Sequence, residues 1–120
     1  MIMGNRSVMS KRTETMEPIV DAKFSVGQLV RHRLFNYRGV IVGADPSFSG
    51  SDEWYDQMTV TQPPKNQPWY HVLTHDSEQE TYVAERNLLA DNSGEPIRHP
   101  LVDNFFDRFQ NGRYYVGQLH

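Results

Sequence analysis

The alternation of apolar and polar positions is densest between residues 26 and 44. Val26, Leu29 and Val30 are interrupted by polar neighbours, and Gly27 marks a bend. Arg38-Gly39-Val40-Ile41-Val42-Gly43-Ala44 is β-branched and glycine-flanked, the composition of a strand. Leu34-Phe35-Asn36-Tyr37 connects the two, with Asn36 as turn residue, so the segment predicts a β-hairpin. Asp45-Pro46 stops it, because proline has no ladder donor. Residues 47–68 predict irregular structure: Trp54 and Met58, four apart, suit one helical turn, and the proline-rich run from Gln62 to Pro68 a loop.

Trp69-Tyr70-His71-Val72-Leu73-Thr74-His75 is aromatic and β-branched and predicts a strand. An acidic turn over residues 76–80 returns the chain to Thr81-Tyr82-Val83-Ala84, and residues 85–89 predict a tight helical or 3₁₀ turn. In the C-terminal part, Leu101, Val102, Phe105, Phe106 and Phe109 repeat at helical period after Pro100, and Asn111-Gly112 supplies a stop. This predicts an α-helix over residues 100–110, followed by a short strand near Arg113–Val116. The expectation is a mainly β barrel of about five antiparallel strands carrying one C-terminal α-helix.

With 120 residues there is room for one domain, expected over residues 23–117, behind a flexible tail over residues 1–22 that has no periodicity. The absence of cysteine excludes disulfides, thiolate zinc sites and thiol catalysis, and agrees with a reducing cytoplasm. No signal-like or membrane-length apolar segment is present. The net charge of −3 is the wrong sign for coating nucleic acid, but its distribution is uneven. Lys23, Arg31, Arg33 and Arg38 fall within residues 23–44 with no acid among them, whereas residues 45–97 hold ten acids against Lys65 and Arg86. A basic hairpin on an acidic body orients an anionic partner, or pairs its own charges.

Enzymatic signatures are missing. His71 and His75, four apart on a strand, lie about 13 Å apart, too far for one metal ion. His99 before Pro100 is explained by capping. There is no phosphate-binding glycine loop and no nucleophile elbow. No cofactor and no metal are therefore expected. For DNA, Arg31, Arg33 and Arg38 are the candidate phosphate contacts, with Lys23 and His32 nearby. Arg31 and Arg33 share a strand face, and His32 points the other way. Trp54, Trp69 and Tyr70 are candidates for an aromatic surface against bases or protein, with core packing the competing explanation, above all for Trp69 and Tyr82.

Several blocks in order carry a family resemblance. They are Phe24-Ser25-Val26-Gly27-Gln28-Leu29-Val30-Arg31-His32, Tyr37-Arg38-Gly39 through Asp45-Pro46, Trp54, Pro68-Trp69-Tyr70-His71-Val72-Leu73, and Tyr82-Val83-Ala84-Glu85-Arg86-Asn87-Leu88. Ile97-Arg98-His99-Pro100 and Gly112-Arg113-Tyr114-Tyr115 follow. Over residues 23–117 the chain resembles the YccV-like, or HspQ, domain family. The resemblance implies an SH3-like β-barrel without catalytic activity and hemimethylated double-stranded DNA as ligand, with links to replication and heat shock. It also implies an alternative role as an adaptor or specificity factor on a Lon-type protease or another protein, and self-association. The helix and the Tyr-Tyr ending are closer to domain variants found in larger proteins than to the short HspQ form.

Overall fold

The computed structural model describes residues 22–117, so the tail expected over residues 1–22 lies, Ala22 apart, outside the described residues. Seven strands and two short helices follow in chain order. Strand β1 (Leu29–His32) and β2 (Arg38–Asp45) form the expected hairpin, with Asn36 at φ 61° in the turn. Helix α1 (Asp52–Met58) is longer than the single turn predicted, because the Ser51 side chain accepts a hydrogen bond from the Trp54 amide and caps it. Strands β3 (Trp69–Thr74) and β4 (Glu80–Ala84) form the second hairpin. A 3₁₀ turn (Glu85–Asn87) then leads into β5 (Leu88–Ala90).

These five strands make one antiparallel sheet in the order β4-β3-β2-β1-β5. No ladder joins the two edges, so the described sheet is open where a barrel was expected. A register shift between Ile41 and Gly43 against β3 leaves Val42 as an extra residue, a bulge that bends β2 and increases its twist.

The strand alternation sorts two cores onto opposite faces. Leu29, Val40 and Leu73 face Ile97, Val102, Phe106 and Tyr114, whereas Val30, Ile41, Val72, Tyr70, Val83 and Leu88 pack on the other side. Val40, Ile41, Val72 and Leu73 are wholly buried, each contributing about 1.5–3 kcal/mol by leaving water. A third cluster joins Tyr55, Trp69 and Ala84 beneath Phe48, Trp54 and Tyr82.

The C-terminal segment departs from the predicted helix. Helix α2 spans only Val102–Phe105, and Phe106 is already extended. The Asp107 amide bonds to the Tyr115 carbonyl, and β6 (Arg108–Gln110) pairs with β7 (Arg113–Tyr115) as a separate two-stranded sheet. Asn111 and Gly112 both have positive φ, at 55° and 76°, the signature of a two-residue type I′ hairpin turn. The pair read as a helix stop is a hairpin turn, and Phe109 packs on Tyr114 across that hairpin with ring centroids 4.6 Å apart. Leu101 and Phe105, counted toward the helix's apolar face, remain 38% exposed.

Gly27 ties this segment to the main sheet. Its amide bonds to the Ile41 carbonyl, and its carbonyl accepts from the Tyr114 amide. With φ at 93° and no room for a Cβ beside the Tyr114 carbonyl, the position requires glycine.

Candidate nucleic-acid interface and an apolar groove

Arg31 and Arg38 are direct partners across β1 and β2, and Leu89 lies opposite Arg31 on β5. Directly opposed residues share a face, so Arg38, Arg31 and Leu89 form a row across three strands. Asp91 lies on the same face and holds both guanidiniums: Arg38 Nε at 2.8 Å and Arg31 Nη2 at 3.2 Å. The Ser93 hydroxyl also donates to it. The Asp91 side chain is almost fully enclosed; its burial pushes the pKa up, but hydrogen bonds from Arg38 and Ser93 and the Arg38 charge hold it below the usual carboxylate range. Two cations on one anion leave a net positive charge. Arg31 keeps 41% of its side chain exposed, Arg38 only 17%, and the exposed Leu89 stands beside them.

The other sequence candidates separate from this row. Arg33 follows β1, is exposed, and donates to the Arg86 carbonyl. Lys23 is exposed, and its backbone amide bonds to Glu85. His32 is buried on the opposite face, where its Nδ1 accepts hydrogen bonds from the Leu34 and Phe35 amides at 3.1 Å each. That ring nitrogen therefore carries no proton, and burial lowers the pKa of His32.

Of the aromatic candidates, Trp69 and Tyr70 are 1% and 0% exposed, which places them in the core and not on a contact surface. The Tyr70 hydroxyl donates to buried Glu85 at 2.6 Å, and desolvation together with that carboxylate pushes its pKa up to about 12. Trp54 is half-buried, packed against Phe48, Trp69 and Tyr82. It lines a groove of about 550 Å³ together with Leu34, Phe35, Met58 and Val60. Those four are 54%, 62%, 62% and 81% exposed, so they form an apolar rim that the sequence candidates did not include. The signal was present: Leu34-Phe35 puts two large apolar residues in a tight turn, where polar residues are usual.

Asp91 was also missed, because Asp91-Asn92-Ser93-Gly94 has the composition of a plain loop. Among the described residues no group of three or more His, Asp or Glu side chains is placed to hold a metal ion. No described helix is long and apolar enough to cross a membrane.

Residues 22–113 match the family model described as hemimethylated DNA-binding protein YccV like, so a chain with a basic row on one sheet face and an aromatic groove beside β4 belongs to the YccV-like family.

Proposed function

We propose that the protein is a non-enzymatic, cofactor-free module that binds duplex DNA, with hemimethylated duplex as preferred ligand, through the face carrying Arg38, Arg31 and Leu89. The observation that carries this reading is the row itself: two guanidiniums oriented by one enclosed carboxylate, with an exposed leucine next in line. Phosphate contacts set register, and an apolar side chain against a base methyl supplies discrimination in the major groove. The family description supports the ligand class. Exposed Arg33 and Lys23 are further phosphate candidates. The return of β5 beside β1 through a 3₁₀ turn, and the bulge in β2, support reading the open sheet as a partly open SH3-like barrel. A cytoplasmic location, in keeping with the lack of cysteine, is part of the same proposal.

The test is fluorescence anisotropy with matched unmethylated, hemimethylated and fully methylated duplexes across a salt series. Tighter binding of the hemimethylated duplex, with the preference reduced by Leu89→Ala and the affinity by Arg31→Ala, is the expected result. Binding that is absent, or equal for the three duplexes at every salt concentration, overturns the reading.

A protein partner is the second reading, as for an adaptor on a Lon-type protease or another protein, with self-association as its variant. The exposed apolar rim of Leu34, Phe35, Met58 and Val60 favours it.

A further inference from the structure

The groove touches Gln79 and then every residue of β4, Glu80 to Ala84, in an unbroken run. Successive strand residues point to opposite faces, so a cavity in contact with consecutive residues lies along the strand's edge rather than over one face. Among the described residues β4 pairs with β3 alone, and it forms one margin of the five-stranded sheet. The ladder identifies which backbone groups are free. The Thr74 amide bonds to the Gln79 carbonyl, and the Glu85 amide to the Pro68 carbonyl. In an antiparallel pair hydrogen-bonded and non-hydrogen-bonded positions alternate, so Thr81 and Val83 turn their backbone groups to β3. Glu80 and Tyr82 turn theirs outward along the groove; Ala84 shares their register but is buried, at 1% exposed, and offers no free group.

Native sheets usually blunt such an edge with proline, lysine or a covering loop. β4 has no proline and no lysine, and it is flanked by exposed Phe35, Met58 and Val60. A row of free donors and acceptors beside apolar pockets is the arrangement that adds a strand from another chain: main-chain bonds give affinity and alternate side chains give selectivity. The 550 Å³ volume falls within the usual range for ligand sites, about 300–1,000 Å³.

The ends of the groove differ in charge. At one end stands Glu80, with Glu78 and Asp76 in the preceding turn. At the other, past Ala84, stand Arg86 and Arg33, both exposed. Arg86 donates to the Thr61 carbonyl of the groove wall, Arg33 to the Arg86 carbonyl, and neither forms an ion pair among the described residues.

We propose that the edge of β4 is a strand-addition site for an extended, mainly apolar segment of a partner protein that carries a carboxylate at the Arg33–Arg86 end. This deepens the protein-partner reading and rests on it; Arg33 is shared with the DNA-phosphate candidates, whereas the Arg38–Arg31–Leu89 row takes no part in the site.

The test uses the full chain and capped hexapeptides that alternate valine with phenylalanine or leucine. The probes carry glutamate at the first position, glutamate at the last, or glutamine at both. One glutamate probe is expected to bind at least five-fold more tightly than the glutamine probe, with the advantage lost in Arg33→Gln. Val60→Glu and Met58→Glu, at exposed positions, should each weaken binding at least ten-fold. Hydrogen exchange should slow at the Glu80 and Tyr82 amides. Methylating alternate backbone nitrogens of the probe should abolish binding in one register and spare it in the other, because only one set faces β4.

Saturable binding that Val60→Glu blocks but neither methylation pattern alters overturns strand addition while the protein-partner reading stands. Equal affinity of the glutamate and glutamine probes overturns the carboxylate assignment. No saturable binding of any probe at millimolar concentration, or exchange protection confined to other residues, overturns the proposal as a whole.

Discussion

Asp91 shows how one enclosed carboxylate serves both fold and surface. It joins β1, β2 and the loop after β5 by accepting from Arg31, Arg38 and Ser93. Replacing it leaves two guanidiniums facing each other across the hairpin without their anion, so Asp91→Asn should cost about 3 kcal/mol in chemical denaturation. The pH dependence has a definite sign. A carboxylate held below its unfolded pKa adds stability that is fully present above that unfolded pKa and is lost as pH falls through the folded one. Acid titration of stability should therefore be less steep in Asp91→Asn below about pH 4. His32 behaves likewise in a higher window. Its neutral ring is stacked on Phe35 at 4.6 Å and caps the turn through Nδ1. With its pKa lowered, the folded state resists protonation, so its contribution is complete above about pH 6.5 and declines as pH falls through the folded value. An NMR titration should find the His32 ring titrating below its unfolded value. His32→Asn keeps an acceptor for the turn, loses the stack at about 1 kcal/mol, and removes that pH dependence.

Hairpins dominate at the scale of elements, and turn chemistry decided which were legible. The β1–β2 and β3–β4 hairpins follow from β-branched runs with turn residues between them, and both formed where the pattern put them. The C-terminal pattern misled because Leu101 to Phe109 fits helical spacing while Asn-Gly fits two roles, helix stop and hairpin turn. Tertiary pairing chose between them: Phe109 has Tyr114 to pack on only if the chain folds back at Asn111-Gly112. The two glycines of this region should therefore respond very differently to substitution. Gly112→Ala introduces a Cβ at positive φ with only the Gly94 backbone 3.4 Å away, and should cost about 1 kcal/mol. Gly27→Ala drives a Cβ into the Tyr114 carbonyl at the junction with the main sheet. It should cost several-fold more and release the β6–β7 hairpin, which thermal denaturation and loss of the Tyr114 contacts in NMR spectra would report.

For the whole molecule, the sequence made the basic hairpin legible as a charge segment but not the fate of its cations. Linear spacing cannot reveal that Asp91, sixty residues after Arg31, folds back between two of them, nor that Leu34 and Phe35 border an open strand edge with residues 58 and 60. Counting Arg31, Arg33 and Arg38 as equivalent contacts was natural from sequence, yet the structure gives them different duties, and this separates binding from folding by experiment. Arg38 is mostly enclosed and bonded to Asp91 and to the Glu95 carbonyl, so Arg38→Ala leaves the enclosed carboxylate only Arg31 and Ser93 and should lower the melting temperature by several degrees. Arg33 is exposed and bonded only to a neighbouring carbonyl, so Arg33→Ala should leave the melting temperature within about a degree of the parent. If Arg33 contacts a phosphate, its loss weakens all duplexes alike and reduces the slope of log affinity against log salt by about 1. Leu89→Ala should do the converse, leaving the salt slope unchanged while the three methylation states converge in affinity. A salt slope unaffected by Arg33→Ala would remove Arg33 from the interface. Convergence on Leu89→Ala with Arg33 neutral would confine the interface to the Arg38–Arg31–Leu89 row, whose orientation depends on Asp91.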